Sequence, residues 1–334
     1  MTLTDDLAAY LGRQWGAAVA VEGLARIPGG ASRETWRFDA VVGNARRPLI
    51  LRRDPGDSLI ETERRVEFAA LQTAQGRVPA PAPLLLEEGA AALGAPFFVM
   101  ERIDGGSVAS PFSPDPYGAA AATLGAAFFT GLGRLAATPL AGTPLAGAVD
   151  APAPDACWRV QLDHWAGVID ADEQHPQPIV RAAIRRLRAH PPPPPPYVAV
   201  VHGDYRSGNV MHNGAGALLA VLDWEMAHGG DPLEDLAWAI DPLWGHDDPE
   251  RVAGLLPRET ALAAWSGASG MAVDARALAW WSLFAAVKGQ AIWTSAAKAW
   301  VDTGMVDPVL AISGWYTARR HDQIIAAQLE HFAA

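Results

Sequence analysis

The hydrophobic and polar positions follow one period in the first part of this 334-residue chain and another in the rest. In the first part, apolar residues alternate with polar ones or form short runs, as they do in β-strands. Two stretches differ: residues 4–16 form a short amphipathic helical pattern with Thr4 as its N-cap, and residues 58–75 repeat apolar positions at helical spacing. The predicted order is therefore a helix, three strands, a second helix and two strands.

The pattern changes after Asp104-Gly105-Gly106, a hinge-like stretch. From there on, Ala, Leu and aromatic residues recur at helical spacing. Six prolines at 191–196 predict a stiff polyproline II spacer before a short apolar run. A strand-rich first part and a helical second part predict an α+β fold. The predicted helices of the second part cover residues 116–138, 157–171, 178–190 and most of 232–334.

Two carboxylates and one amide follow strand-like runs near the middle of the chain. Val198–Val201 leads into His202-Gly203-Asp204, Asn209 comes five positions after Asp204, and the apolar run 217–222 ends on Asp223. Carboxylate and amide oxygens suit a hard cation such as Mg²⁺, and a further carboxylate can accept a proton from an attacking hydroxyl. In the alternative interpretation, Asp204 and Asp223 only cap loops.

Composition narrows the classes of function. The net charge of −11, from 26 basic and 37 acidic residues, argues against a general nucleic-acid binder. Cys157 is the only cysteine, so an internal disulfide framework or a cysteine-based zinc site is excluded, and we expect this residue to pack in a helix. We find neither a signal-peptide pattern nor an 18-residue uncharged apolar run, and therefore expect a cytoplasmic protein without a membrane partner.

Several segments together resemble the aminoglycoside phosphotransferase family, which comprises small-molecule kinases with a protein-kinase-like fold. The resemblance covers most of residues 24–240. The subgroup it resembles most is the one near the kinase-like domain that precedes some acyl-CoA dehydrogenases. The matching segments are HGDYRSGN at 202–209, LDWE at 222–225, DPLEDLAW at 231–238, PGGASRET at 28–35 and FFVMERIDG at 97–105.

The resemblance implies a bilobal α+β fold. Residues 1–104 would form a small nucleotide-binding lobe, made of an antiparallel sheet with one main helix. Residues 105–334 would form a larger, mostly helical lobe for catalysis and substrate binding. The chain contains no Gly-x-x-x-x-Gly-Lys-Ser/Thr sequence, so phosphate binding by a P-loop is excluded.

Roles for the central residues follow from the same resemblance. Asp204 would be the catalytic base or the residue that orients the hydroxyl, and His202 would brace the loop. Arg206 lies in the same loop and is a third catalytic candidate. Asn209 and Asp223 would hold Mg²⁺ between the nucleotide phosphates.

The nucleotide contacts are implied in the same way. Gly29, Gly30 and Ser32 form the tip of a hairpin that would approach the phosphates through backbone N–H groups. Backbone atoms of Glu101 and Ile103 would contact the adenine edge. The candidate at the back of the base is Met100. Such pockets take ATP or sometimes GTP.

One position departs from the family. The family usually has a lysine on the third strand to hold the α- and β-phosphates, yet no lysine precedes Lys288. Strand register places Arg52 at that position and points Arg53 to the other face. Glu67 is the best match for its helix partner and Glu63 the second; an ordinary surface pair is the alternative interpretation. An arginine can bind phosphate bidentately, so it is able to replace the lysine.

The leading hypothesis is a kinase that transfers the nucleotide γ-phosphoryl group to a hydroxyl of a small substrate, either aminoglycoside-like or another metabolite such as a hydroxyacyl thioester. No Ala-Pro-Glu activation segment is present, which disfavours a protein substrate. One alternative is a nucleotide-binding pseudokinase or scaffold without turnover. Another is a metal-dependent hydrolase that uses His202, Asp204, Asp223 and His228.

Overall fold

The N-terminal part of the molecule is one antiparallel sheet with two helices. The computed structural model describes residues 2–27, 34–54, 64–110, 113–246, 248–303 and 308–332. The five strands pair in the order β1-β2-β3-β5-β4, and this arrangement confirms the antiparallel sheet. The elements are α1 (Leu3–Trp15), β1 (Ala20–Arg26), β2 (Glu34–Val42), β3 (Ala45–Arg53), α2 (Arg64–Ala74), β4 (Pro83–Glu87) and β5 (Phe97–Glu101).

Helix α1 begins earlier than the sequence pattern predicted. Its N-cap is Thr2, not Thr4, because Thr2 and Asp5 form a reciprocal capping box. The Asp5 N–H donates to Thr2 Oγ1 at 3.3 Å, and the Thr2 N–H donates to Asp5 Oδ2 at 3.0 Å. The helix ends at Gly16, which adopts a left-handed conformation. Its apolar face packs against one face of the sheet.

The alternation of side chains along β3 decides which residues face the rest of the molecule. Leu49 and Leu51 belong to the cluster beneath α1, whereas Ile50 packs into the main core. Arg52 therefore points to the same face as Ile50, as strand geometry predicts. Arg53 points the other way, where its Nη1 lies 3.0 Å from Glu34 Oε2.

The C-terminal part is mostly helical, and the long helix α8 runs through its centre. Helices α4, α5, α6 and α10 all pack against α8. Two small sheets, β6-β8-β9 and β7-β10, frame the central loop. The elements are β6 (Ser107–Val108), α3 (Ala121–Ala136), α4 (Cys157–Asp172), α5 (Pro178–Ala189), β7 (Ala199–Val201), β8 (Val210–His212), β9 (Leu218–Val221), β10 (His228–Gly230), α6 (Pro232–Ala239), α7 (Arg258–Ser269), α8 (Ala275–Thr303), α9 (Pro308–Ile312) and α10 (Ala318–His331).

Large aromatic side chains fill this helical core. Trp224, Trp238, Trp265, Trp280 and Trp281 are fully buried. The single cysteine begins α4 and is buried as predicted. Burial raises the pKa of this thiol to about 12.

One helix in the described ranges meets the length and apolarity of a membrane span. It covers Gly118–Ala136, and 56% of its most apolar window is buried inside the molecule. Buried core helices commonly meet the same criterion, so the observation is weak evidence for a span.

Candidate active site

The loop that follows β7 is fixed by the imidazole of His202. Its Nε2 lies 2.9 Å from the carbonyl oxygen of Leu222, and its Nδ1 accepts the N–H of Asp204 at 3.0 Å. These two bonds require a neutral ring with the proton on Nε2. Complete burial lowers the pKa of His202, in agreement with the neutral form. The geometry suits a bracing residue.

A buried carboxylate on α6 also holds this loop in place. Asp235 accepts the N–H of His202 at 2.6 Å and the N–H of Gly203 at 2.9 Å. Gly203 has a φ of +85°, and a Cβ atom there would lie 2.3 Å from the carbonyl oxygen of Met226. Only glycine fits this position, so the loop passes close against the chain after β9.

The carboxylate of Asp204 is held by three N–H donors. Trp238 Nε1 donates to Oδ1 at 2.7 Å, and Arg206 Nε donates to the same oxygen at 3.1 Å. Asn209 Nδ2 donates to Oδ2 at 2.6 Å. The Arg206 guanidinium also stacks on the ring of Trp244, with 5.0 Å between its Cζ and the ring centroid. These donors hold the carboxylate of Asp204 in one orientation.

The side-chain oxygens of Asn209 and Asp223 fit a divalent cation. The amide nitrogen of Asn209 makes the bonds to Asp204, which leaves Asn209 Oδ1 for another ligand. Asp223 follows β9 with a left-handed φ of +59°, and its side chain is 51% exposed. Mg²⁺ is usually held by one or two such groups together with substrate phosphates and water. The residues present therefore fit Mg²⁺ with a bound nucleotide.

The histidine-rich hydrolase site that the sequence left open is not favoured by the geometry. Both ring nitrogens of His202 are engaged within the loop. His228 is engaged in the same way, by the Met226 carbonyl at 2.9 Å and by Glu234 Oε2 at 3.1 Å. Across the described ranges, no group of three or more His, Cys, Asp or Glu is arranged to hold a metal.

Arg52 lies at the centre of a buried ionic cluster. Its Nη1 lies 2.7 Å from Glu67 Oε1 and 3.3 Å from Asp223 Oδ1, and its Nη2 lies 3.5 Å from Glu225 Oε2. Burial alone would lower the pKa of Arg52, but the three carboxylates outweigh that effect and raise it. Arg52 is 8% exposed and Glu67 1%, so this is not an ordinary surface pair. The second candidate partner, Glu63, lies outside the described residues.

The other nucleotide candidates are Gly29, Gly30, Ser32, Met100, Glu101 and Ile103. Gly29, Gly30 and Ser32 lie outside the described residues. On β5, Met100 is buried and the N–H of Glu101 donates to the Ala82 carbonyl at 2.9 Å. A contact between Glu101 and the adenine would therefore use the backbone carbonyl group of Glu101. Ile103 follows two residues later, at the connection to the helical part.

Four residues that contact the site were not assigned roles from the sequence: Glu225, Asp235, Trp238 and Lys288. Lys288 is the least expected, because it comes from α8. Its Nζ donates to the Gly203 carbonyl and lies 3.5 Å from Glu234 Oε1. The scarcity of lysine was a usable signal, since one of only two lysines in the chain is buried against the loop at residues 202–209.

A comparison with known families decides the classification. The model of the phosphotransferase enzyme family, APH, matches residues 23–272, which is most of the chain. The chain belongs to the phosphotransferase enzyme family. This is a family of small-molecule phosphotransferases, and membership confirms the resemblance seen in the central loop.

A curated relative and two solved structures are similar to this family member. Mouse acyl-CoA dehydrogenase family member 10 is 30% identical over 202 residues, which cover 58% of this chain and 18% of that protein. A suspected aminoglycoside phosphotransferase from Ralstonia eutropha JMP134 has a TM-score of 0.77 at 20% identity, with 98% of each chain covered. A thermostable mutant of the aminoglycoside phosphotransferase APH(4)-Ia, in a ternary complex with ADP and hygromycin B, has a TM-score of 0.57 at 17% identity, with 97% and 98% covered. These likenesses confirm the protein-kinase-like fold.

The segment after β10 of the phosphotransferase carries a buried carboxylate with a raised pKa. Asp231 caps α6 by accepting the Leu233 N–H at 2.8 Å and is 3% exposed. Burial raises its pKa from 3.8 to about 6. The folded state therefore retains this proton to higher pH than the unfolded state does. The contribution of Asp231 to stability is full below about pH 4 and is lost as the pH rises through about 6.

We expect Asp231→Asn to remove this loss of stability at high pH. Asparagine is an equally good N-cap but has no proton to lose. The rise of the pKa from 3.8 to about 6 corresponds to about 3 kcal/mol. The stability of the variant relative to the native protein should therefore improve by about that amount between pH 4 and pH 8, as measured by denaturant unfolding. Asp163→Asn, at a side chain that is 55% exposed, is the control. An equal pH dependence in native protein and Asp231→Asn would contradict the assignment.

Proposed function

We propose that this protein is a kinase that transfers the γ-phosphoryl group of ATP, or of GTP, to a hydroxyl group of a small acceptor. The observation that carries the proposal is the carboxylate of Asp204, which is held by three N–H donors, one of them from the proposed metal ligand Asn209. The ADP and hygromycin B in the complex of APH(4)-Ia support a nucleotide donor and a small acceptor.

In this proposal Asp204 receives the acceptor proton. The hydroxyl oxygen forms a bond to the γ-phosphorus as the bond to the leaving nucleoside diphosphate breaks, and the hydroxyl proton passes to Asp204. The carboxylate needs a fixed direction for this task, and the bonds from Trp238, Arg206 and Asn209 supply it. Positioning and electrostatic stabilisation account for most of the rate in such transfers. We assign His202 to bracing the loop.

Asn209 and Asp223 are the residues that would hold Mg²⁺. When bound, the ion neutralises charge on the nucleotide phosphates. The half-exposed carboxylate of Asp223 is accessible to a ligand, and its contact with Arg52 is a long one at 3.3 Å. Arg52 would contact the phosphates in the place of the family lysine, while Glu67 holds it at 2.7 Å.

The contacts to the adenine and the remaining contacts to the phosphates complete the proposal. Met100, the carbonyl of Glu101 and the backbone of Ile103 would surround the adenine. Gly29, Gly30 and Ser32 would approach the phosphates.

A nucleotide-binding scaffold without turnover is the second candidate. Its supporting observation is the replacement of the family lysine by Arg52. Against it, the arginine is buried and paired with a helix glutamate in the manner expected of the lysine. The proposed catalytic base, Asp204, and the two proposed Mg²⁺ ligands, Asn209 and Asp223, are also present. We therefore favour the enzyme.

The acceptor belongs to the class of small hydroxylated compounds. Aminoglycosides are one group to test, because hygromycin B is bound in the APH(4)-Ia complex. Hydroxyacyl thioesters are another, because the similar mouse protein is named as an acyl-CoA dehydrogenase family member. The chain covers 18% of that protein, so the activity of the whole relative is not transferred here.

The test is a screen for ADP formation with aminoglycosides, hydroxyacyl thioesters and other hydroxylated metabolites, followed by mass spectrometry of the phosphorylated product. Turnover should depend on Mg²⁺ and be lost in Asp223→Ala. Asp302→Ala is a matched control, since both side chains are 51% exposed. Nucleotide binding that is independent of Mg²⁺ and of Asp223, without turnover on any compound, would favour the scaffold instead.

A further inference from the structure

Lys288 is a buried cation on α8 that contacts the central loop, residues 202–209. Its Nζ donates to the carbonyl oxygen of Gly203 and lies 3.5 Å from Glu234 Oε1. Burial of an ammonium group is costly even when the group is paired and hydrogen-bonded. An apolar side chain of similar volume would fill the same space without that cost. Packing alone therefore gives no reason for a lysine at this position.

The bond from Lys288 fixes one end of the peptide group that leads into Asp204. The carbonyl of Gly203 and the N–H of Asp204 belong to the same planar unit. Lys288 holds the carbonyl, and His202 Nδ1 accepts the N–H at 3.0 Å. Glycine permits more backbone orientations than other residues, so a second contact narrows the choice at Gly203. The orientation of this unit sets the direction in which the Asp204 side chain leaves the backbone.

Lys288 also contacts the tryptophan that donates to Asp204. Its Nζ lies over the ring of Trp238, 5.3 Å from the centroid, which is within the range of a cation–π interaction. The Nε1 of the same indole donates to Asp204 Oδ1 at 2.7 Å. One ammonium group therefore acts both on the backbone before Asp204 and on a side chain that holds its carboxylate.

The positive charge of Lys288 is shared with a second cation at Glu234. Glu234 Oε2 lies 3.1 Å from His228 Nε2, and His228 Nδ1 faces the Met226 carbonyl at 2.9 Å. Burial acts against both charges of the histidine pair, but their attraction outweighs it, raising the pKa of His228 and lowering that of Glu234. A neutral residue at 288 would leave Glu234 paired with His228. We therefore expect such a variant to fold.

We propose that Lys288 is a positioning residue for phosphoryl transfer. By holding the carbonyl of Gly203 and the indole of Trp238, it keeps the Asp204 carboxylate aimed at the acceptor hydroxyl. Because Lys288 is buried behind the central loop, it acts through Asp204 and not by contact with the reactants. The inference rests on the proposed kinase function, since it assigns Lys288 a part in that reaction.

The test compares Lys288→Met with Lys298→Met in the full chain. Lys298 is the other lysine of this protein, ten residues later on the same helix, and its side chain is 39% exposed. The assay follows ADP formation from MgATP with each compound of the acceptor screen. Lys288→Met should lower kcat about 10–100-fold, since a small misplacement of a catalytic group has an effect of that order. The KM for ATP should change less than about threefold, because the proposed nucleotide contacts lie on other elements. Lys298→Met should change neither constant.

Hydrogen exchange of the central loop, followed by mass spectrometry, reports the positioning without an activity assay. We expect exchange in residues 202–209 of Lys288→Met to be about fivefold faster, the factor that corresponds to the loss of one hydrogen bond. Lys298→Met should match the native protein. Lys288→Gln is a second variant: its neutral side chain is one bond shorter and ends before the Gly203 carbonyl, so it should show the same pattern. Thermal melts verify which variants are folded.

The outcomes separate this inference from the proposed function. No turnover in the native protein with any acceptor would overturn both. Turnover in the native protein that folded Lys288→Met or Lys288→Gln retains in full would overturn the inference alone. Unchanged exchange in the central loop would do the same, as would a raised KM with an unchanged kcat. If neither variant folds, Lys288 is required for the fold and the positioning role is likewise overturned.

Discussion

Asp204→Asn is expected to abolish phosphoryl transfer while leaving the affinity for the nucleotide largely intact. The substitution removes the carboxylate that would accept the acceptor proton, and loss of a general base costs about 10²–10⁴-fold in rate. The nucleotide contacts proposed at β5 and at Arg52 are on other elements and remain. The measurement compares kcat for ADP formation with nucleotide affinity from a direct titration. Unchanged turnover would remove the assignment of Asp204 as base.

The hydrogen bonds of Asp204 predict a second effect of the same substitution. Trp238 and Arg206 donate to Oδ1, so the asparagine oxygen will occupy that position and its NH₂ group will face Asn209 Nδ2. Two donors then oppose each other, and the Asn209 amide must rotate. Rotation turns its NH₂ group toward the proposed cation, so Asp204→Asn should also weaken the dependence on Mg²⁺.

The exchanged pair Asp204→Asn with Asn209→Asp separates these two effects. The new carboxylate at 209 accepts a bond from the asparagine and still offers an oxygen to the metal. We expect nucleotide binding by the double variant to depend on Mg²⁺ as it does in the native protein, while turnover stays lost. Recovery of turnover in the double variant would show that the carboxylate at 204 is not required for proton transfer.

Arg52→Met is expected to destabilise the fold and weaken nucleotide binding together. It removes the 2.7 Å ion pair of Arg52 with Glu67, a side chain that is 1% exposed, and it removes the positive charge that lies between Glu67, Asp223 and Glu225. Removal of one partner from a buried ion pair costs about 3–5 kcal/mol. Denaturant unfolding measures the stability, and titration with ADP measures the affinity.

Arg52→Lys and Arg53→Met are the matched controls for this cluster. A lysine keeps the charge and restores the residue usual in the family, so we expect it to retain the fold and most of the nucleotide affinity. Arg53 is the neighbour on the other face of β3, with a half-buried contact to Glu34 at 3.0 Å. Its loss should cost about 1 kcal/mol or less and leave affinity unchanged. If Arg53→Met lowered the stability and the ADP affinity as much as Arg52→Met does, the effect would come from a general disturbance of β3 and not from loss of the buried ion pairs.

The sequence predicted the parts of the site that are local in the chain. Asp204 and Asn209 lie five positions apart in one loop, and Asp223 follows the next strands, so a short motif was enough to group them. The face of Arg52 followed from alternation along one strand, and Glu67 was the best match for the helix partner that the family resemblance implies. Fold class followed from the order of strand-like and helical patterns.

Long-range contacts could not be predicted in this way. The bond from Lys288 to Gly203 joins positions 85 residues apart, and the contact between Arg52 and Glu225 joins positions 173 apart. Neither pair lies within one element, so no periodicity relates them. The start of α1 was missed for a different reason: Thr2 and Thr4 are equally good caps by residue type, and the reciprocal bond to Asp5 decides between them.

The buried cysteine gives this chain its own reporter of unfolding. Cys157 is the only thiol, is 1% exposed, and its pKa is raised to about 12 by burial, so a thiol-specific reagent cannot reach a thiolate in the folded molecule. Labelling must wait until the start of α4 opens. The rate of modification therefore measures how often that region opens, without any engineered probe. The same reagent applied to Arg52→Met and to Asp231→Asn will show whether a change at the site is transmitted to the opening of the helical part.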